Sequence, residues 1–283
     1  MKISFALLLM LFICTNSLAN EKKPLKESTV FNKTFSWQAQ AGVSLQYTTS
    51  IIKGVNQDNL GNYLNISILF DFYYKGFFIQ SDHRRADTHN LGAEIGYQLI
   101  VEDDWELDVI SKSYIGGFNP EEVIDIADKD IPILMGLKSR GTADGIGIRY
   151  TRFHDDSIFS FDIAALAPLS AADGWVMDAF YSHIVPYRNW DIYLNAGMTY
   201  YSDKVMNYYV GIDSEEVSPL REEFTAHHAL RTQVEVFAQY PLSKSWTFNI
   251  GLSQNYYFGD LSESPIVETE NASQIMAGVL YVF

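Results

Sequence analysis

The chain has 283 residues, a formal charge of −15 and an aromatic content of 14%, with 18 tyrosines and 18 phenylalanines. That acidic balance excludes nucleic acid as a partner, because nothing supplies a basic surface to neutralise phosphates. So many aromatics at a mean hydropathy of −0.05 suit strands with one apolar and one polar face better than an ordinary soluble core.

The opening stretch, MKISFALLLMLFICTNSLAN, reads as a secretory signal over residues 1–19. Lys2 is its charged lead, residues 3–13 its apolar core, and Ser17-Leu18-Ala19 its small-x-small cleavage site. The run is too short to cross a bilayer as a helix. Cys14 follows Phe12-Ile13, where lipid attachment would want a small neighbour, so no lipidation is expected. Cleavage also removes this single cysteine, and with it any disulfide or thiolate site. About 264 residues then remain, room for one large domain. Residues 20–35, polar and lysine-rich, are expected to be a periplasmic lead-in, and residues 36–283 the folded domain.

A dyad repeat starts at once. Trp37, Ala39, Ala41, Val43, Leu45 and Tyr47 share one parity, with Gln38, Gln40, Ser44 and Gln46 between them. The same alternation recurs over 64–72, 91–99, 190–200, 234–240 and 246–252. Weaker versions occupy 75–83, 105–115, 144–154, 157–167 and 174–185. The last stretch, 271–283, places Ile275, Ala277, Val279, Tyr281 and Phe283 on one face. Together these make about twelve strands of roughly ten to thirteen residues, an even number and a length suited to a tilted crossing of the hydrocarbon layer. The fold expected is therefore all-β: a transmembrane antiparallel up-and-down β-barrel.

Connections give an independent check, since barrels of this kind have short periplasmic turns and longer extracellular loops. The even-to-odd links are the short ones, such as Tyr74-Lys75, Asp155-Asp156 and Pro186-Tyr187-Arg188, whereas 48–61, 116–143 and 202–227 are long odd-to-even links. Trp37, Trp105, Trp190 and Trp246 each stand at the start of an upward strand. They are expected to form a periplasmic aromatic girdle, where an indole keeps its ring in lipid and its N–H wet. Tyr281 and Phe283 end the chain as an expected C-terminal assembly signal for the barrel insertion machinery.

Chemistry is sparse. Glu94, Asp108, Asp162, Asp178, Asp191, Arg231 and Glu235 fall on the inward parity, as a polar lumen requires with or without conduction. Of six histidines, His227 and His228 are adjacent on an expected strand and so point apart, poorly placed for one metal. There is no Gly-x-Ser-x-Gly elbow. No catalytic residue, metal site or cofactor is expected. Gly145 and Gly147 are expected to relieve crowding inside the wall, and the tyrosine pair in loop 202–227 to anchor that loop by packing.

Several of these residues carry a resemblance. Tyr208-Tyr209-Val210-Gly211, then Trp246, Tyr256-Tyr257, Ser264-Pro265-Ile266-Val267 and the terminal Gly278-x-x-Tyr281-x-Phe283 resemble, in this order and spacing, the MipA/OmpV family. Gly136-Leu137-x-x-Arg140-Gly141 is consistent with it. The specific part is 207–283, with Tyr208, Tyr209, Gly211 and Pro265 its core. The resemblance implies a single-domain protein of the outer membrane with no catalytic residues. It also implies contact with outer-membrane lipid and a scaffolding role between a lytic transglycosylase and a murein synthase. Other members are described as adhesin-like or osmotically regulated surface proteins. A pore or small-solute uptake channel is the alternative that the polar inner face suggests.

Overall fold

The computed structural model describes residues 35–55, 63–81, 93–127, 129–166 and 169–283. The signal peptide and the lead-in up to residue 34 lie outside these residues, as do His83, His89 and Leu91. Twelve strands follow one another around a closed wall: β1 (Phe35–Thr48), β2 (Leu64–Tyr74), β3 (Phe77–Ser81), β4 (Ala93–Val101), β5 (Trp105–Ser113), β6 (Asp144–Phe153), β7 (Ser157–Ala165), β8 (Trp175–Tyr187), β9 (Trp190–Tyr201), β10 (Ala229–Pro241), β11 (Trp246–Gly259) and β12 (Asn271–Val282). The first strand starts at Phe35, one residue ahead of the expected domain boundary at 36. Each strand pairs antiparallel with its neighbours in sequence, and β12 closes on β1 from Gln40↔Val282 to Thr48↔Gln274. Closure is what a sheet in hydrocarbon needs, because an open edge there leaves unpaired N–H and C=O groups with no water to satisfy them.

Parity falls as the sequence indicates. Along β9, Leu194 and Met198 are exposed while Asn195 and Thr199 are buried. The terminal strand keeps Ile275 and Phe283 outside and turns Met276 and Leu280 inward, each at most 4% exposed. These two inward residues are apolar, and Met276 packs against Phe237 and Tyr193 within the wall. Gly147 faces the same interior, where an added Cβ would meet Ile163 O at 2.3 Å and Ala164 Cβ at 2.8 Å. It makes room, as expected of it.

The short links are 75–76, 102–104, 154–156, 188–189 and 242–245, and the long ones lie at the other end. Lys75 and Gly76, at φ 50° and 86°, make a two-residue hairpin whose left-handed backbone matches strand twist. The expected strand at 75–83 is the one that departs most, reduced to Phe77–Ser81 among the described residues. Its adjacent phenylalanines serve opposite faces: Phe77 is 60% exposed and Phe78 2%. At Ser81 side chains take over from the ladder, with Phe70 N donating to Ser81 Oγ at 2.8 Å and Ser81 N to Asp71 Oδ1 at 3.0 Å. Among the described residues, two loops carry α-helices that a β pattern does not announce, α1 (Pro120–Ala127) and α2 (Asp203–Val210). The first has proline at its first turn and Asn119 Oδ1 accepting from Glu121 N at 3.2 Å, an ordinary helix start.

Candidate functional site: a folded cap over a charged wall

The long loops do not trail into solvent. Ile131, Leu134 and Leu137 from the β5–β6 loop join Val205, Met206, Tyr209, Val210 and Ile212 from the β9–β10 loop and Leu261, Ile266 and Val267 from the β11–β12 loop in one buried apolar cluster. Inward-facing residues at the strand tops, among them Ala164, Val176, Tyr201 and Ala229, belong to the same cluster. The loops therefore fold inward over the extracellular mouth and pack onto its inner rim. Their contiguous apolar burial is a small core of its own.

Polar clamps hold this cap together. Glu216, 1% exposed, ends a single 3₁₀ turn (Ser214–Glu216) and accepts four hydrogen bonds from three groups. Arg140 Nη2 lies 2.9 and 2.8 Å from its two oxygens, Lys138 N donates at 2.8 Å and Asp213 N at 3.2 Å. Arg221, 2% exposed, donates to Met135 O at 3.1 Å, to Glu216 O at 2.7 and 3.0 Å, and to Ile133 O. Buried guanidinium groups with this many acceptors are stable only as a complete set; removing one partner strands the rest. Burial pushes the Glu216 carboxyl up, but Arg140 and the two backbone donors outweigh it and hold it below the ordinary range. A carboxylate depressed by folding contributes stability that is present above its unfolded value, near 4.5, and lost as pH falls through the lower, folded one. The cap is thus expected to gain protease sensitivity as pH drops below about 4.5. Limited proteolysis across pH checks this, and Glu216→Gln should flatten the dependence; a wild-type cap equally resistant at acid pH would contradict it.

The loop residues among those that carried the family resemblance, Tyr208, Tyr209, Gly211 and Pro265, meet here. Tyr208 OH accepts from Gly141 N at 2.9 Å, and Tyr209 OH donates to Gly141 O at 2.6 Å. Gly211 ends α2 with its N–H on Asn207 O at 3.0 Å. Pro265 sits between Ser264, whose Oγ donates to Val210 O at 2.6 Å, and the buried Ile266. Three stretches that share no neighbourhood in sequence build one clamp. The expected packing role of the tyrosine pair holds; the helix that presents it was the unread part. His227 and His228 precede β10 instead of lying on it, a correction that leaves them pointing apart: the Nδ1 atoms reach Asp260 at 2.7 Å and Asp203 at 3.9 Å.

Below the cap the inner wall is charged. One row of directly paired residues runs from Asp108 to Arg149, Asp162, Asp178, Thr199 and Arg231. Asp162 and Asp178 stand side by side on adjacent strands, an arrangement that repels unless bridged. Lys112 bridges them at 2.8 and 3.2 Å. Tyr114 OH donates to Asp162 at 2.5 Å and Thr199 Oγ1 to Asp178 at 2.6 Å. Asn195 Nδ2 donates to Glu235 at 2.6 Å. Lys112 is the member of this network that inward parity did not single out; its position two residues beyond Ile110 on the same face was the available signal. Asp191 lies at the short-turn end and is exposed.

The four tryptophans take the places assigned to them along the strands. Trp105, Trp190 and Trp246 open β5, β9 and β11, and Trp37 is the third residue of β1. Tyr281 pairs across the ladder with Trp246, ring centroids 5.2 Å apart, and Phe283 N donates to Ala39 O at 3.1 Å.

A closed twelve-strand barrel, apolar outside, with short turns at one end and folded loops at the other, is an outer-membrane protein. The family model described as "MltA-interacting protein MipA" matches residues 41–283, and the chain belongs to that family. Outer membrane protein Omp26La of Vibrio anguillarum is 27% identical over 115 residues, 41% of this chain and 45% of that protein. Outer membrane protein OmpV of Vibrio cholerae is 26% identical over 115 residues, with the same shares covered. The matched stretch thus spans less than half the length of either relative. Among solved structures, the NanC porin is 10% identical and covers 86% of this chain and 98% of its own, at a TM-score of 0.43. The family is one of membrane barrels and indicates no enzyme class.

Proposed function

We propose that this barrel is a closed membrane anchor whose role is interaction: it holds cell-wall machinery, a lytic transglycosylase and a murein synthase, at the inner face of the outer membrane. The observation that carries this reading is the cap. Loops locked over the extracellular mouth by buried Arg140–Glu216 and Arg221 clamps suit an anchor, because a scaffold gains nothing from an open hole in the permeability barrier. The family description, which names an MltA-interacting protein, supplies the class of partner. Mild crosslinking in cells followed by purification of the barrel is expected to bring down a murein enzyme; its consistent absence would count against the proposal. The polar inner wall supports a second reading, a small-solute channel, which predicts discrete conductance in planar bilayers.

The end of the chain has an assembly role in the same reading. Removing Phe283 is expected to lower the amount of protein in the outer membrane several-fold, read by fractionation. The terminal aromatic, 69% exposed, is available for the insertion machinery to grasp. Unchanged yield would rule that role out. We also assign Trp37, Trp105, Trp190 and Trp246 to the periplasmic interface of the membrane.

A further inference from the structure

Two of the short links are built alike. Tyr74-Lys75-Gly76-Phe77 joins β2 to β3, and Tyr187-Arg188-Asn189-Trp190 joins β8 to β9. In each, the flanking aromatics pair across the hairpin, Tyr74 with Phe77 and Tyr187 with Trp190. Tyr74, Phe77 and Tyr187 are exposed on the outer face. In each, the second aromatic rests on a tyrosine of the next strand: Phe77 on Tyr97 of β4, ring centroids 4.7 Å apart, and Trp190 on Tyr240 of β10 at 5.1 Å. The cation between them folds back over the ring before it. Lys75 Nζ lies 5.4 Å from the Tyr74 centroid, and the Arg188 guanidinium carbon 5.3 Å from that of Tyr187.

Lys75 and Arg188, at φ 50° and 55°, are the non-glycine residues of positive φ among the described ones. That backbone suits glycine or asparagine, and a long side chain occupies it only against strain. At the second link Asn189, which would tolerate it, stands one position too late. Neither cation has a carboxylate partner among the described residues. Yet the chain carries a charge of −15, and Lys112, Lys138, Arg140, Arg149, Arg152 and Lys204 are all so paired. The acidic links at 102–104 and 154–156 belong to other strand pairs, where Asp104 faces Arg152 and Asp156 faces His183. Each tip thus presents an unpaired positive charge at the short-turn end, the periplasmic one in barrels of this kind. Beside it lie rings that face hydrocarbon. An anion that meets both is a phosphate ester at headgroup level, carried on acyl chains.

We propose that these two hairpin tips bind the phosphate of a net-anionic phospholipid in the periplasmic leaflet, Arg188 and Lys75 making the contacts and the flanking aromatics packing on the upper acyl chains. The sites rest on the placement of the wall in the membrane and not on the scaffold reading. No carboxylate stands ready to receive a choline or ethanolamine head, so a net negative lipid is favoured over a zwitterionic one. Arginine grips phosphate with two parallel N–H donors and lysine acts as a point charge, so the Arg188 site is the tighter. The test is native mass spectrometry of the full chain in detergent, titrated with phosphatidylglycerol and, separately, with phosphatidylcholine of the same chains. Two phosphatidylglycerols are expected to be retained, each at least about threefold more tightly than phosphatidylcholine. Arg188→Asn and Lys75→Asn should each lose one of them, and the double variant both. Asparagine accepts the left-handed backbone, so a Tm no lower than that of the wild type is expected alongside. Glycerophosphoglycerol, the same head without chains, should not compete at equal concentration; competition would overturn the lipid as the source. Equal retention of the two lipids by the wild type overturns the proposal whatever the variants do, and so does unchanged phosphatidylglycerol retention in the double variant.

Discussion

Glu216→Ala is expected to unfasten the cap while leaving the barrel standing. The substitution strands Arg140, whose guanidinium is 7% exposed and bonded to both Glu216 oxygens, and removes the acceptor for Lys138 N and Asp213 N. Breaking a buried pair by deleting one partner typically costs about 3–5 kcal/mol. A loop core of this size has little reserve against that, so the loss should appear as local opening and not as global unfolding. Externally added protease should then cleave within the β5–β6 and β9–β10 loops of intact cells, at sites resistant in the wild type. The strands, hydrogen-bonded on both sides, should keep their heat-modifiable mobility on gels. Arg221→Ala should act in the same direction, because four carbonyl contacts to Ile133, Met135 and Glu216 disappear together. Wild-type protease resistance in both variants would mean that the clamps are ornaments on a cap held by apolar packing alone.

Leu194→Arg tests the other half of the architecture. Leu194 lies mid-strand in β9, between His183 and Val236 on the neighbouring strands, and its side chain is 43% exposed on the outer face. In a bilayer that face meets hydrocarbon, and an arginine near the midplane is expected to cost about 2–4 kcal/mol. Urea unfolding of the barrel in lipid vesicles measures the difference. No change in unfolding free energy would invert the assignment of faces, since a residue pointing into the polar lumen tolerates the charge.

The wall was legible in the chain and the cap was not, for a physical reason. Strand side chains alternate with period two, and lipid outside with polar groups inside converts that geometry directly into a hydropathy pattern. Trp190, Ile192, Leu194 and their partners Asp191, Tyr193 and Asn195 show it without any knowledge of pairing. Link lengths then fixed which end is which. The cap obeys no such repeat. Arg140 and Glu216 are 76 residues apart, and Tyr208, Tyr209 and Gly141 become a clamp only once two loops have crossed. Pairing over that distance leaves no local trace. The quoted motif residues marked the place without revealing the contact. Phe77-Phe78 shows the converse limit: two adjacent phenylalanines blur a strand pattern because one fills the lumen beside Arg149 while the other faces lipid. Lys112 belongs with the cap in this respect. Its position on β5 gives its face, but only the side-by-side placement of Asp162 and Asp178 gives its task.

Planar-bilayer recording of the purified protein tests the closed anchor most directly. The wild type is expected to insert without discrete current steps, and Glu216→Ala with Arg221→Ala, in which the cap is released, to show them. Stable open-channel steps from the wild type, unaltered by releasing the cap, would contradict the account.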